Sequence, residues 1–134
     1  MSAVVTDTHA AIWYLSKSPR LSTAARTAIN QATQMGAPLH LCSISLVEVA
    51  YLIEKGRLPA VTFDLLVQAL ADPLSSFVVA PLDLAVARTL RMIPRQIVAD
   101  MPDRIIAATA LHLNLPLVTR DPQIKNFGGL QTIW

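Results

Sequence analysis

The sequence has little of what a disulfide-bonded, nucleotide-binding or secreted protein needs. Its one cysteine, Cys42, cannot form an internal disulfide, which is typical of a protein in a reducing compartment. Four glycines and no glycine-rich phosphate loop argue against a nucleotide cofactor. The first residues include no basic segment, and Asp7 interrupts the first apolar run, so a signal peptide is not expected. We therefore expect a cytoplasmic protein.

Long apolar runs are also missing, although the chain is apolar overall. Hydrophobic residues make up 53% of the sequence, and its mean hydropathy is +0.46. The longest stretch without a charged residue, 27–47, contains amides, hydroxyls, a histidine and a proline, which excludes a membrane helix. The length of 134 residues fits a single domain, 1–134, with one sizeable core. We expect the surplus apolar surface to lie at an oligomer or partner interface.

Charge of both signs is scarce, with eleven basic and nine acidic residues and a net charge of +2. That net charge is too small to indicate a nucleic-acid partner. The distribution of the charges is more informative than their sum if five of the nine acids cluster, namely Asp7, Glu48, Asp100, Asp103 and Asp121. The remaining surface would then be strongly basic. A basic rim around an acidic site suits a polyanion that is handled through metal ions.

Apolar runs typical of strands alternate with segments typical of helices. Strands are predicted at 3–6, 39–42, 77–80 and 117–119, with a short one at 132–134. Helices are predicted from Ser22, from Ser45 to Gly56, from Thr62, from Asp83 to Pro94 and from Pro102. Strands that are apolar throughout and joined by helices predict an α/β fold. We expect a three-layer α/β/α sandwich around a mainly parallel sheet of four to five strands.

Acidic residues stand where such a sheet binds its ligands, beyond the carboxyl ends of the strands. Asp7 and Asp121 each follow a predicted strand directly. Glu48 and Asp103 are predicted in the first turns of helices that begin at the same edge. The sequence therefore predicts four carboxylates, far apart along the chain, on one rim.

Local sequence offers each acid a structural explanation as well. Glu48 can complete a capping box with Ser45, and Asp7 and Asp121 can form Asx turns. Both Asp100 and Asp103 stand near a helix N-terminus, where acids complement the helix dipole.

Asp100, just ahead of Pro102, is the expected N-cap of its helix, which leaves Asp103 to point elsewhere. Four carboxylates in one crevice repel one another, so such a cluster is expected to hold a cation. An all-oxygen set suits Mg²⁺ or Mn²⁺ rather than zinc. His9 follows the first strand closely enough to reach the crevice, whereas Trp13 is expected to pack a helix face rather than stack on bases.

Taken together, these features resemble the PIN-domain ribonucleases, and specifically the VapC-type toxins of bacterial toxin–antitoxin pairs. The matching stretches follow in order over nearly the whole chain, at 4–15, 43–58, 100–121 and 122–134. Two departures are visible. Members often carry a bulky aromatic residue just before the glutamate, where this chain has Val47. Many also have a proline directly after the first aspartate of the D-x-x-D turn, whereas here Met101 lies between Asp100 and Pro102.

The resemblance implies an endoribonuclease that depends on Mg²⁺ or Mn²⁺, is inhibited by a cognate antitoxin and forms a homodimer. The residues to which it assigns metal binding and catalysis are Asp7, Glu48, Asp103 and Asp121. Glu48 either binds metal or orients the attacking water, while Asp100 and Thr119 support the carboxylates, Thr119 by orienting one of them. Arg104 and Arg120 contact the RNA backbone, pair with acids or lie on the surface.

Other classes of protein stay open at this point. A PIN-like fold with little catalytic activity would act by occupying RNA or a protein partner. A receiver domain is disfavoured because Asp7 stands alone after the first strand, without a second acid beside it. A haloacid-dehalogenase-type phosphatase is disfavoured because the sequence there is Asp-Thr-His rather than Asp-x-Asp.

Overall fold

Five short strands form one parallel sheet with the first strand at its centre. The structure is a computed structural model, and it describes residues 3–134. The strands are β1 (Val4–Thr6), β2 (Leu39–Cys42), β3 (Phe77–Ala80), β4 (Leu117–Val118) and β5 (Thr132–Ile133). Their order is β3-β2-β1-β4-β5, and all neighbours are parallel. The predicted parallel sheet is thus confirmed.

Helices join the strands, and seven of them lie within residues 3–134. They are α1 (Thr8–Leu15), α2 (Thr23–Gln34), α3 (Ser43–Glu54), α4 (Val61–Ala71), α5 (Leu84–Leu90), α6 (Met101–Leu113) and α7 (Pro122–Phe127). The predicted caps Ser22, Asp83 and Asp100 each accept a backbone N–H at the start of α2, α5 and α6. None of the helices described is long and apolar enough to cross a membrane.

Side chains alternate between the two faces of the sheet, and each face has its own helices. Val4 of β1 packs with residues of α1, α2, α3 and α4, whereas Val5 packs with residues of α5, α6 and α7. In β4, Val118 joins the first cluster and Leu117 the second. The result is the predicted three-layer α/β/α sandwich, with a core on each face of the sheet.

The helix after β2 differs from the prediction at its start. It begins at Ser43, directly after the strand, and its N-cap Cys42 makes no side-chain cap hydrogen bond. Ser45 is fully buried within the helix. The predicted capping box between Ser45 and Glu48 is therefore wrong, because the chain passes from strand to helix without a loop. Glu48 lies in the second turn rather than the first.

Strand β1 lies where the winding of the sheet changes direction. The chain runs from β1 outward to β2 and β3, then crosses back to β4 on the other side of β1. In sheets of this kind, the crevice beside such a switch point, beyond the carboxyl ends of the strands, binds ligands. The residues that follow β1 and β4 therefore border the expected crevice.

Candidate active site

A cavity of about 680 Å³ lies at the carboxyl ends of β1 and β4. Its lining residues are Asp7, His9, Trp13, Arg20, Glu48, Asp100, Asp103, Arg120, Asp121, Pro122, Gln123 and Trp134. The lining thus includes all four carboxylates that the sequence placed on one rim, and Asp100 as a fifth. The fold brings them together from α3 and from the N-termini of α1, α6 and α7.

Asp7 is held at the end of β1 by two donors. Its Oδ1 accepts the Ala10 backbone N–H at 2.8 Å, which makes Asp7 the N-cap of α1. The Thr119 hydroxyl also donates to its carboxylate. Burial raises the pKa of Asp7, and the hydrogen bonds from Thr119 and Ala10 and the charge of His9 offset this only in part. A positive charge in the cavity would therefore stabilise the Asp7 carboxylate.

Thr119 connects the two strand ends that carry aspartates. It is fully buried directly after β4, and its Oγ1 accepts the Asp121 backbone N–H at 3.1 Å. The same hydroxyl faces the Asp7 carboxylate and lowers its pKa as a hydrogen-bond donor, so Thr119 lies between Asp7 and the turn that carries Asp121. These contacts are consistent with an orienting role for Thr119, which stays a prediction.

Asp103 and Asp121 lie within hydrogen-bonding reach of each other. Asp121 caps α7, since its Oδ1 accepts the Gln123 N–H at 2.8 Å. The pKa of Asp103 is raised to about 8 by burial, by the hydrogen bond and charge of Asp121, and by the charges of Asp100 and Glu48. A carboxyl pair this close needs a shared proton or a cation between its oxygens.

Asp100 is the N-cap of α6, as the sequence predicted. Its Oδ2 accepts the Asp103 backbone N–H at 3.1 Å. Because the cap fixes the first turn of α6, it also fixes where the Asp103 side chain leaves the helix. Asp100 therefore supports Asp103 as a cap and adds negative charge to the same cavity.

Glu48 is held by Thr8 of α1 rather than by a residue of its own helix. The Thr8 Oγ1 lies 2.6 Å from Glu48 Oε1 and 2.8 Å from Ser45 Oγ. A hydroxyl carries one hydrogen, so both contacts are satisfied when Thr8 donates to the carboxylate and Ser45 donates to Thr8. Thr8 and Ser45 are both buried. Sequence reasoning missed Thr8, because the pairing joins residues 40 positions apart.

The same lining also contains a group of aromatic and cationic side chains. We call this group the aromatic wall, and its members are His9, Trp13, Arg120 and Trp134. The Arg120 Cζ lies 4.7 Å from the centroid of the Trp13 ring, a cation–π distance. The Trp13 ring centroid is 5.4 Å from that of His9 and 5.8 Å from that of Trp134. Trp13 is 8% exposed and packs in the apolar cluster with residues of α1 to α4, as the sequence predicted for its packing.

Residues 4–130 match the family model described as PIN domain. The chain belongs to the PIN-domain family. Over 127 residues it is 32% identical to Ribonuclease VapC22 of Mycobacterium tuberculosis (strain ATCC 25618 / H37Rv), a match that covers 94% of this chain and 92% of that protein. A match of this extent places the chain among the VapC-type PIN domains.

Solved structures of low sequence identity share the fold of this PIN domain. The crystal structure of VapBC2 from Rickettsia felis, bound to a DNA fragment from their promoter, matches with a TM-score of 0.71 and 15% identity, over 97% of this chain and 96% of that one. The crystal structure of FitAcB from Neisseria gonorrhoeae matches with a TM-score of 0.60 and 18% identity, over 96% and 95%. The structure of FitAB bound to the IR36 DNA fragment gives 0.62 and 18%, over 96% and 92%.

Arg104 of this PIN domain has other partners than those expected from sequence. Its Nε donates to the Ile93 carbonyl at 2.9 Å, and one Nη donates to the Leu90 carbonyl at 3.3 Å. It is not among the residues that line the cavity. Arg104 therefore ties α6 to the chain around the end of α5, and its place outside the cavity lining gives no support to the RNA contact predicted for it. Arg120, by contrast, is exposed and lines the cavity.

Val47 and Cys42 can also be judged from their surroundings. The Val47 side chain is 51% exposed, so the departure from an aromatic at this position changes the surface of α3 and not the core. Cys42 is buried, and burial raises the pKa of its thiol to about 11. A thiol with this pKa is not a nucleophile near neutral pH.

The donors in the cavity suit a hard divalent cation. No group of three or more histidine, cysteine, aspartate or glutamate side chains among residues 3–134 is arranged closely enough to hold a metal ion by itself. The lining nevertheless contains the Asp103–Asp121 pair together with Asp7 and Glu48, all of which carry oxygen donors. That arrangement fits Mg²⁺ or Mn²⁺, because Mg²⁺ takes one or two carboxylates directly and keeps several waters.

Proposed function

We propose that this PIN domain is an endoribonuclease that requires Mg²⁺ or Mn²⁺ and acts as the toxin of a toxin–antitoxin pair. The observation that carries the proposal is the convergence of Asp7, Glu48, Asp103 and Asp121 on one cavity. The identity with Ribonuclease VapC22 supports the choice of RNA as the substrate.

Asp103 and Asp121 are the side chains best placed to hold the ion directly. Their carboxyl groups already approach within hydrogen-bonding reach, and a cation would take the place of the shared proton. Asp7, fixed by Thr119, would bind the ion directly or through a water. When bound, the ion supplies positive charge against the scissile phosphodiester and makes water a better nucleophile.

Glu48 is the best candidate for accepting a proton from the attacking water. The Thr8 hydroxyl holds one of its oxygens, at 2.6 Å, and so fixes the direction of the carboxylate. A base must be held within hydrogen-bonding reach of the proton that it takes. The other oxygen is then available to a water, or to the ion if Glu48 is a ligand.

Positive side chains on the same cavity provide contacts for RNA. Arg120 and Arg20 are both exposed and both line it, next to the acids. Their charges would attract a polyanion toward a site whose own charge is negative. We therefore propose Arg120 as an RNA contact and add Arg20, which sequence reasoning did not identify.

An antitoxin protein and a second copy of this chain are the proposed protein partners. Support comes from the structural neighbours, which are VapBC and FitAB toxin–antitoxin complexes. Apolar side chains exposed on α3 and α4 are consistent with surfaces that partners cover, among them Val47, Tyr51, Val61 and Val67.

Cleavage of total cellular RNA, mapped by sequencing, tests the proposal. The purified chain should cut at defined sites with Mg²⁺ or Mn²⁺ and should not cut when EDTA removes them. Tight RNA binding without any cuts would favour the alternative of an inactive module that acts by occupancy. Equal cleavage with and without EDTA would contradict the metal site.

A further inference from the structure

We propose that the aromatic wall is a binding subsite for one unpaired nucleobase of a single-stranded RNA, beside the carboxylates. The proposal rests on the proposed function in taking RNA as the ligand. It adds that a base, and not only the phosphate backbone, is bound in the cavity. Proteins bind unpaired RNA bases by stacking them on aromatic rings or on the guanidinium planes of arginine.

Arg120 provides the stacking plane. Its guanidinium Cζ lies over the Trp13 ring, 4.7 Å from the ring centroid, so the cationic group is held against the indole. The side chain is nevertheless exposed and lines the cavity, so a ligand there can reach the guanidinium group. An arginine that only neutralised phosphates would need no aromatic ring beneath it, because phosphate contacts depend on charge.

Trp13 keeps that plane in place. Its side chain is only 8% exposed, and the rings of His9 and Trp134 contact it with centroids at 5.4 and 5.8 Å. Such packing leaves the indole little freedom, so a cation stacked on it loses less entropy when a ligand binds. Trp13 is therefore a positioning residue, and Arg120 together with the exposed His9 would touch the base.

The place of the wall along the chain favours a base next to the scissile phosphate. Arg120 stands between Thr119 and Asp121, and His9 follows Asp7 by two residues. Arg120 and His9 therefore leave the same two strand ends, β1 and β4, as the carboxylates Asp7 and Asp121. Gln123, also in the lining, offers an amide of the kind that hydrogen-bonds base edges. A nucleotide whose phosphate meets the acids can place its base on the wall.

Tryptophan fluorescence gives a direct readout, because both tryptophans of the sequence, Trp13 and Trp134, belong to the wall. The probe is hexaadenylate RNA, compared with a hexamer of abasic ribose phosphates that carries the same charge. Both are titrated with Mg²⁺ into Asp7→Asn, which should bind without cleaving. Hexaadenylate should quench the fluorescence and bind about fivefold tighter or more than the abasic hexamer.

Matched variants assign the difference to the wall. In the Asp7→Asn background, Arg120→Gln and His9→Ala should each reduce the ratio of the two affinities toward one. Arg57→Gln removes an exposed arginine that does not line the cavity and should leave the ratio unchanged. An unchanged ratio in both wall variants contradicts the subsite.

Equal affinities of the two hexamers, or no measurable binding of either, would overturn the proposal. Equal affinities would mean that the cavity recognises phosphates alone. Failure of the subsite is separable from failure of the proposed nuclease. A wild-type chain that cuts RNA with Mg²⁺ while the hexamers bind equally keeps the nuclease and loses the subsite. A base-dependent ratio of the two affinities, with no cleavage by the wild-type chain, keeps the subsite and loses the nuclease.

Discussion

At the scale of single residues, the site depends on buried hydroxyls that hold carboxylates. Thr119 fixes Asp7, and Thr8 fixes Glu48. Each hydroxyl crosses from one element to another, so each carboxylate is oriented by a part of the chain far from its own. Partners of this kind orient metal ligands and bases, and their loss typically costs about 10- to 100-fold in metal affinity or activity.

Removal of the Thr8 hydroxyl should impair the site more than the fold. Thr8→Val keeps the shape of a side chain that is 2% exposed but leaves Glu48 and Ser45 without their partner. We expect cleavage to fall about 10- to 100-fold and half-saturation to require more Mn²⁺. Stability should fall by about 1–3 kcal/mol, since buried polar groups are left unpaired. RNA cleavage across a Mn²⁺ titration measures the first effect, and urea unfolding measures the second.

Two matched variants separate this effect from general damage. Thr8→Ser restores the hydroxyl and should recover most of the activity. Thr27→Val changes an exposed threonine on α2 and should leave both the activity and the Mn²⁺ dependence as they were. A Thr8→Val chain that responds to Mn²⁺ like the parent would show that Thr8 does not orient Glu48 for catalysis.

At the scale of elements, helix starts deliver the acids to the cavity. Asp7, Asp100 and Asp121 are N-caps, and each accepts backbone N–H groups through one carboxylate oxygen while lining the cavity. The structural and functional explanations of these acids are therefore compatible, since a carboxylate has two oxygens. Glu48 is different, because it projects from the second turn of α3 and caps nothing.

The role of Asp100 can be tested through its cap. Asp100→Asn keeps an oxygen for the Asp103 N–H and removes a negative charge, so cleavage should change less than about threefold. Asp100→Ala loses the cap and should destabilise the protein by about 0.5–2 kcal/mol. Thermal unfolding and cleavage assays of the two variants measure these effects. Activity of Asp100→Asn that falls as far as that of Asp103→Asn would instead make Asp100 a metal ligand.

Elements also show where sequence reasoning succeeded. The strand ends were predictable, because apolar runs followed by aspartate can be read locally and a parallel sheet gathers its carboxyl ends at one edge. The helix after β2 was misread at its start, since the spacing of Ser45 and Glu48 imitates a capping box. Helices α1 and α7 were not assigned, because α1 is apolar on most sides and α7 has six residues.

Contacts between residues that lie far apart along the chain could not be predicted from the sequence. Nothing local indicates that Thr8 meets Glu48, that Arg120 lies over Trp13 or that Arg104 donates to the end of α5. These pairings depend on how helices pack on the sheet. The composition of the acidic site was therefore predictable, whereas the side chains that orient it and the aromatic wall required the structure.

At the scale of the whole molecule, the burial of Asp103 and the carboxylates around it make the stability of the fold depend on pH. The pKa of Asp103 is raised to about 8 in the folded protein, far above its value of 3.8 in a free side chain. The folded state therefore binds more protons than the unfolded state between about pH 4 and pH 8. Without metal, the free energy of unfolding should fall as the pH rises through this window.

Melting temperatures measured without metal at pH 5 and pH 8 test the direction of this pH dependence. Asp103→Asn should be more stable than the parent at pH 8 by about 1–2 kcal/mol, after allowance for solvent screening of a partly exposed group. At pH 5 the two should differ less. Mg²⁺ or Mn²⁺ should raise the melting temperature of the parent at pH 8, because the ion binds the folded cluster and relieves its repulsion.

Asp64→Asn serves as the control, because Asp64 is an exposed acid on α4 outside the cavity lining. It should keep both the pH dependence and the metal response of the parent. A metal response that survives in Asp103→Asn at full size would place the ion elsewhere.

The central claim, that the carboxylates at the ends of β1 and β4 form one catalytic metal site, is tested most directly with Asp7→Asn. Asparagine keeps an oxygen for the Ala10 N–H, so the cap of α1 and the fold should persist. RNA cleavage with saturating Mg²⁺ should fall by about 100-fold or more, while Asp64→Asn cleaves like the parent. An Asp7→Asn chain that folds and cleaves RNA at the parent rate would contradict the account.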